Sequence, residues 1–467
     1  MGSAFLSTMR CEPTTAWRCA FLGYLFCCLS LPHVARADDW AQWRGPDRTG
    51  VSKEKDLLPE WPADGPKLLW SVADIGVGYS GPAVVGDMLY IMGTRGDTEY
   101  LLALDVLSGK ERWAVPIGPV FTFPGNSWGD GPRGTPAVVD NRVYALGGQG
   151  ILLCAEAPPP PSGIGGEKEA PDVRTGRTLW RVNLPKDLGA VISSVGGGPE
   201  KIGWGYCESP LVDGRLVVCT PGGPEGTLAA LDKDTGAVVW RSRGLTDPAT
   251  YSSIVQASIE SKKQYIQMTD QGPVAVDAAT GQLAWRYLRK PPYRGFVIDT
   301  PVVDGNLVYA TAGEGAGCDL IRIDVQAGVF RPQKVYANKT MANQHGGVVL
   351  IGDHIFGYSE GKGWVCQNLK TGKMISNEKR KLGRGSIIGV GEHVICRAED
   401  DGTTVLCRAS PKGWHELGRL KPPRESTKRK PNGKIWTHPV VANGRLYLRD
   451  QELLFCYDIH GPQSAVH

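Results

Sequence analysis

Two hydrophobic patterns alternate along the chain. In the first, a proline opens a short valine-rich run, a polar turn follows, and a second run alternates aromatic or aliphatic residues with smaller ones. Strong copies are "GPAVVGDMLYIMG", "TPAVVDNRVYALG", "SPLVDGRLVVCT", "TPVVDGNLVYATAG" and "HPVVANGRLYLRD", at Pro82, Pro136, Pro210, Pro301 and Pro439. Strand-period runs around Gly-Asp, Asp-Asn, Asp-Gly or Asn-Gly predict β-hairpins, and proline can open a strand without losing a ladder bond. Weaker copies at "YSSIVQASIESKKQYIQM", "HGGVVLIGDHIFGY" and "SIIGVGEHVICRAED" bring the number to eight.

The second pattern is DxxTGxxxW, from Asp105 to Trp113 (with Ser108 for threonine), Asp172 to Trp180, Asp232 to Trp240 and Asp277 to Trp285. The aspartate initiates a turn, Gly109, Gly176, Gly236 or Gly281 takes a left-handed conformation, and the next strand carries the tryptophan to a fixed place against the neighbouring sheet. The aspartates are turn residues, with no catalytic role assigned. Two hairpins per repeat give four antiparallel strands, and eight such units predict an all-β, eight-bladed propeller over residues 67–461. The second pattern decays toward the C-terminus, with Pro332 and Ser376 where tryptophan is expected. "PKLLWS" carries Trp70 on an outer-type strand with no hairpin before it, and the chain ends at "LLFCYDIHG" with none after it. The strand at Leu68 to Trp70 is therefore expected to complete the last blade and close the ring.

Composition adds a location. Arg10 and Arg18 precede the apolar run "CAFLGYLFCCLSL", and "ARA" before Asp38 is a small-x-small cleavage site, so residues 1–37 read as an export signal cut after Ala37. Residues 38–66 then form an N-terminal extension, 157–171 a proline- and glycine-rich insertion, and 462–467 a tail. Without a lipobox or a later apolar span, the mature chain is expected to be soluble, periplasmic or extracellular, and monomeric. The formal charge of +4 falls to +2 once Arg10, Arg18, Arg36 and Glu12 are removed, which is no footprint for nucleic acid. Of the twelve cysteines, four leave with the signal. Cys219, Cys366, Cys396, Cys407 and Cys456 sit in strand contexts where cysteine serves as a small buried hydrophobe. The basic stretch "KPPRESTKRKPNGK" reads as a solvated loop.

These repeats resemble the PQQ-like propellers, which include quinoprotein alcohol dehydrogenases and BamB-like assembly factors, and the opening "DWAQWRGPDRTGVS" resembles exported bacterial proteins of that superfamily. The resemblance implies either a quinone-dependent oxidoreductase, with PQQ and calcium, or an envelope protein that presents loops to a partner. The enzymes carry adjacent cysteines over the quinone, but the adjacent pair here, Cys27 and Cys28, lies in the export signal. A haem-attachment CxxCH is also missing. The expectation is thus a binding or scaffold protein with a protein or cell-envelope partner, and an oxidoreductase of alcohols or sugars as the alternative.

Propeller ligands gather where the loops entering the innermost strands converge. Those loops bring Arg133, Glu208, Asp299, His345, Arg384 and His438 toward one mouth, with Trp204, Tyr206 and Trp436 as walls. Arginine pairs with carboxylates and the aromatic rings stack, which suits a planar polar molecule, a sugar or a peptide. In chemical terms Asp299 is a candidate general base, and Asp299 with Glu208 a candidate carboxylate pair. A polar residue at the wet end of a channel, however, needs no function to be satisfied. No local spacing supports a metal site.

Overall fold

The computed structural model describes residues 39–157, 174–196, 203–293 and 295–461. Within them the chain forms eight sheets, each built on four antiparallel strands, and these are the blades of the propeller. The first strands, in chain order, are Ala83–Val85, Ala137–Val139, Leu211–Asp213, Val255–Ile259, Val302–Asp304, Val348–Ile351, Gly385–Val390 and Val440–Ala442. Blades are numbered here in that order. The ring closes as expected: Lys67–Val72 pairs antiparallel with Leu453–Asp458 and supplies the outermost strand of blade 8, with Trp70 opposite Cys456. Residues 1–37, expected from the sequence to be an export signal, most of the 157–171 insertion, Asp172 and the 462–467 tail lie outside the described residues.

The second motif makes the turn it predicts. Asp232 Oδ1 accepts from the Thr235 amide at 3.0 Å and from its hydroxyl at 2.9 Å, and Asp277 holds Thr280 in the same way. Gly109, Gly236 and Gly281 follow with φ of +70°, +74° and +70°. Gly176 does not: it lies outside the left-handed region, because Arg174–Thr175 is drawn out as a short parallel strand along Trp113 and Ala114. A bulge then sets the tryptophan. In blade 3, Ala230 faces Trp240 and the register shifts before Leu231, and blades 1 and 4 repeat the arrangement at Ala103–Trp113 and Ala275–Trp285. The indole lands on the next blade. Trp180 covers Gly236, where a Cβ would lie 2.8 Å from the ring, and donates to Lys233 O at 2.9 Å. Trp70 does the same over Gly109, donating to Val106 O at 2.9 Å. The hydrophobic core is accordingly a series of clusters between blades, such as Trp113 and Val115 of blade 1 against Val143 and Leu153 of blade 2.

Where the motif decays, three different solutions appear. Blade 5 has a longer outer hairpin, Gly317–Gln326 with Val329–Asn338, so the bulged position facing Leu320 is Tyr336 rather than Pro332. Tyr336 lies over Gly372 of blade 6 and donates to Leu369 O at 2.7 Å. In blade 6 Ser376 occupies the position opposite Cys366, and Trp414 of blade 7 packs against that cluster from the other side. In blade 7 the position is Gly418, and Trp61 of the N-terminal extension fills the space: its amide donates to Leu417 O at 2.8 Å, and it is buried with Leu406, Leu417 and blade 8 residues.

The rest of that extension crosses the axis. Trp40 exchanges two backbone bonds with Val84 of blade 1, and Ala41 O accepts from Val138 of blade 2. Arg48 donates to Ser209 O and Pro210 O at the entrance of blade 3, and Trp43 Nε1 donates to Thr300 Oγ1 at the entrance of blade 5. Arg44 reaches Val348 O of blade 6, Val51–Ser52 pairs in parallel with Gly389–Val390 of blade 7, and Glu54 accepts from the Gly444 amide of blade 8. A segment touching the inner strands of opposite blades must run through the centre of the ring. Arg44 and Arg48 are 3% and 2% exposed, both in the left-handed region at φ of 61° and 56°, a conformation that a non-glycine residue keeps only when its surroundings enforce it.

Candidate functional site

At one end of the axis the loops entering the first strands enclose a cavity of about 440 Å³. Its lining comes from every blade entrance: Tyr79, Arg133, Trp204 and Tyr251 precede blades 1 to 4, and Asp299, His345, Arg384 and His438 precede blades 5 to 8. Trp43 and Arg44 of the axial segment complete the lining. Trp128 and Trp436 stand at the mouth, their rings stacked with centroids 6.4 Å apart, and Trp128 remains 43% exposed.

Seven of the nine residues singled out from the sequence line this cavity: Arg133, Trp204, Asp299, His345, Arg384, Trp436 and His438. Tyr206 and Glu208 do not. Tyr206 is buried in the cluster between blades 2 and 3 and donates to Pro221 O at 3.2 Å. Glu208 turns back into blade 3, where its carboxylate takes the Thr220 amide at 2.5 Å and the Thr220 hydroxyl at 2.7 Å. Alternation along an extended entrance explains both, since neighbouring side chains Cys207 and Ser209 face the cavity instead. The Asp299–Glu208 carboxylate pair therefore does not form across the cavity.

The polar lining divides into satisfied and unsatisfied groups. Arg133 is engaged: it donates to Gly131 O at 2.7 Å and Gly129 O at 2.9 Å and lies 4.9 Å from the Phe121 ring centroid, so it pins the 121–133 loop that carries Trp128. Arg384 donates through Nε to Glu399 at 2.7 Å and through Nη1 to Gln344 at 2.9 Å. His345 lies 2.8 Å from the other Glu399 oxygen. Burial works against the charge on Glu399, but His345 and Arg384 hold its carboxyl below the usual range.

Asp299 and His438 are different. Asp299 is 3% exposed and neither of its carboxyl oxygens has a hydrogen-bond partner among the described residues. The adjacent Gly347 amide is committed to Asn343 Oδ1 at 2.9 Å. Burial pushes the Asp299 carboxyl well above its usual range, with the Arg44 guanidinium and then the nearby Gly347 amide, itself bonded to Asn343, opposing. Arg44 itself is lowered to about 10 by burial and stays charged at neutral pH. His438 Nε2 sits 2.8 Å from His345 O, and burial lowers the imidazole to about 3, so the ring is neutral, Nε2 carries the proton, and the buried Nδ1 is an unpartnered acceptor.

The sequence reading missed Trp43, Arg44, Trp128, Phe296 and Glu314, all in the lining. Trp43 and Arg44 had a signal, the dense "DWAQWRG" ahead of the first blade, but nothing local placed it on the axis. The basic 421–434 stretch is also not free in solvent: Arg429 pairs with Asp450 and Glu425, and Asn432 and Lys430 tie it to Ser127 and Asp130 beside Trp128.

Compared with known proteins, residues 166–378 match the family described as outer membrane protein assembly factor BamB. No curated protein matches the chain. Among solved structures it is similar to a quinohemoprotein alcohol dehydrogenase from Comamonas testosteroni, at 12% identity and a TM-score of 0.54, covering 93% of this chain and 82% of that one. A computationally designed protein, Ika8, also gives 12% identity and a TM-score of 0.54, covering 84% of this chain and all of the design. At such identity the likeness speaks for the fold alone. The chain is thus an eight-bladed β-propeller whose residues 166–378 are similar to the BamB family.

Proposed function

We propose that this protein is an exported binding propeller of the cell envelope, holding a ligand or the tip of a partner in the cavity at the Trp128–Trp436 mouth. The observation that carries the reading is Asp299, a carboxyl buried at a cavity wall with both oxygens unpartnered. A buried, unsatisfied carboxyl is costly, and a ligand that supplies its hydrogen bonds removes the cost. The volume and the aromatic lining suit a small ligand or a short side-chain segment. A thermal-shift screen of envelope and metabolite compounds tests the proposal. At a hundred times Kd a ligand adds about 2.7 kcal/mol of stability. Hits are expected to vanish in Trp436→Ala; an absence of hits, or hits indifferent to that change, defeats the reading.

A quinone-dependent oxidoreductase is the alternative that the fold raises. Aromatic walls and arginines accommodate a planar acid such as PQQ, but the calcium that accompanies it needs clustered oxygen ligands. Among the described residues no group of three or more His, Cys, Asp and Glu side chains is placed to hold a metal ion. The residues present do not fit the paired cofactor and metal, so no redox step is derived. Dye reduction by the purified protein with PQQ, calcium and an alcohol or sugar panel would replace the binding reading.

A further inference from the structure

We infer that the ligand of this cavity is a saccharide, because unpartnered acceptors, spare guanidinium donors and indole walls meet in one lining. The inference rests on the binding reading above and narrows it to a chemical class.

The acceptors are Asp299 Oδ1 and Oδ2 and His438 Nδ1, all buried and without partners among the described residues. The donors come from Arg384: a guanidinium has five N–H groups, and its described side-chain bonds run to Glu399 and Gln344 alone. Three ligand chemistries can be weighed against this set. A planar quinone with carboxylates offers mainly lone pairs; these would meet the lone pair of His438 Nδ1 and leave the accepting oxygen of Asp299 without a donor. An ammonium compound offers donors alone; it satisfies Asp299 but leaves the Arg384 N–H groups unmet and brings a cation into a lining that already holds Arg44 and Arg133. A hydroxyl both donates and accepts. A ring bearing several hydroxyls can therefore answer Asp299, His438 and Arg384 together, while its C–H faces pack on Trp128, Trp204 and Trp436. The cavity, at about 440 Å³, falls within the range of small-molecule sites.

The test uses the full mature chain, followed by tryptophan fluorescence and calorimetry. The probes are glucose, galactose, mannose, N-acetylglucosamine, cellobiose and maltose, with putrescine and PQQ as the competing chemistries. Saturable binding of at least one saccharide is expected, weakened by about tenfold or more in Asp299→Ala, a loss of one to two hydrogen bonds. Trp128→Ala, at a half-exposed side chain of the mouth, is the second variant and is expected to weaken binding while leaving the melting temperature unchanged. Saturation by putrescine or PQQ with no saccharide bound overturns the saccharide assignment and leaves the binding reading standing. If no probe binds and the thermal-shift screen gives no hit that depends on Trp436, both are overturned.

Discussion

At the rim of the propeller Trp180 lies flat on Gly236 and donates to one carbonyl, Lys233 O. On the axis Arg48 is more deeply buried still, but it spans Gln42, Ser209 and Pro210 and offsets the charge of Glu208. The rim is held by apolar area and one geometric rule, repeated. The axis is held by polar groups that each need a particular partner. Apolar docking tolerates replacement, as Tyr336 and Trp61 show, because any large ring that reaches the site buries comparable area. Polar docking does not, because removing one partner leaves the other buried and unpaired.

That contrast can be broken most severely at the axis. A chain lacking residues 39–54 loses its contacts to seven blades. The expected loss exceeds about 5 kcal/mol, a large share of any domain's stability, and circular dichroism should show no cooperative melting. A sharp transition close to that of the intact chain would show that the segment only rests on the ring.

The rim gives the next largest effects. Trp180→Ala should cost about 3–5 kcal/mol in denaturant titrations and the half-buried Tyr336→Ala about 2–3 kcal/mol, whereas Ser376→Ala should stay within about 0.5 kcal/mol. Equal losses at all three positions would contradict the view that the ring, rather than the position, carries the energy.

Glu208 separates the two regions by pH. Burial raises its carboxyl to about 7, with the Thr220 bonds and Arg48 opposing, so between about pH 4.5 and 7 the folded state binds more protons than the unfolded one. Stability from this group therefore falls as pH rises through that window, and by pH 8 the penalty is complete. His438 works oppositely, since its lowered pKa of about 3 costs stability as pH falls below the ordinary histidine value. Comparing the pH dependence of melting in Glu208→Gln with the intact chain isolates the first effect, on the order of 1–3 kcal/mol between pH 5 and 8. Identical profiles would place Glu208 in a wetter setting than its burial indicates.

A modest effect is expected at Tyr336→Phe, about 1 kcal/mol, for the lost bond to Leu369 O. Chemical denaturation resolves it, and a cost as large as that of Tyr336→Ala would mean the hydroxyl outweighs the ring.

The same contrast explains what was legible in the sequence. The rim is written in short-range spacing: aspartate, glycine and tryptophan stand within nine residues of one another, so blade count and ring closure could be read directly. Even its exceptions obey the bulge rule, although the longer hairpin that selects Tyr336 over Pro332 has no fixed spacing. The axis is assembled from pairs such as Trp43 with Thr300 and Arg44 with Val348, hundreds of positions apart and without period. The entrances to the blades were identifiable as a group, and seven of the chosen nine residues line one cavity. Which way each side chain turned was not, because one residue's shift along an extended segment sends Glu208 inward and Ser209 to the cavity.

The strand Lys67–Val72, which closes blade 8 against Leu453–Asp458, also orders events in time. One half of the clasp is synthesised near the start of the chain and the other near its end. No nascent chain can complete the circle, so every growing intermediate exposes an open strand edge until the final residues emerge. Closure of the ring therefore waits on the strand Leu453–Asp458, however early the other blades have folded.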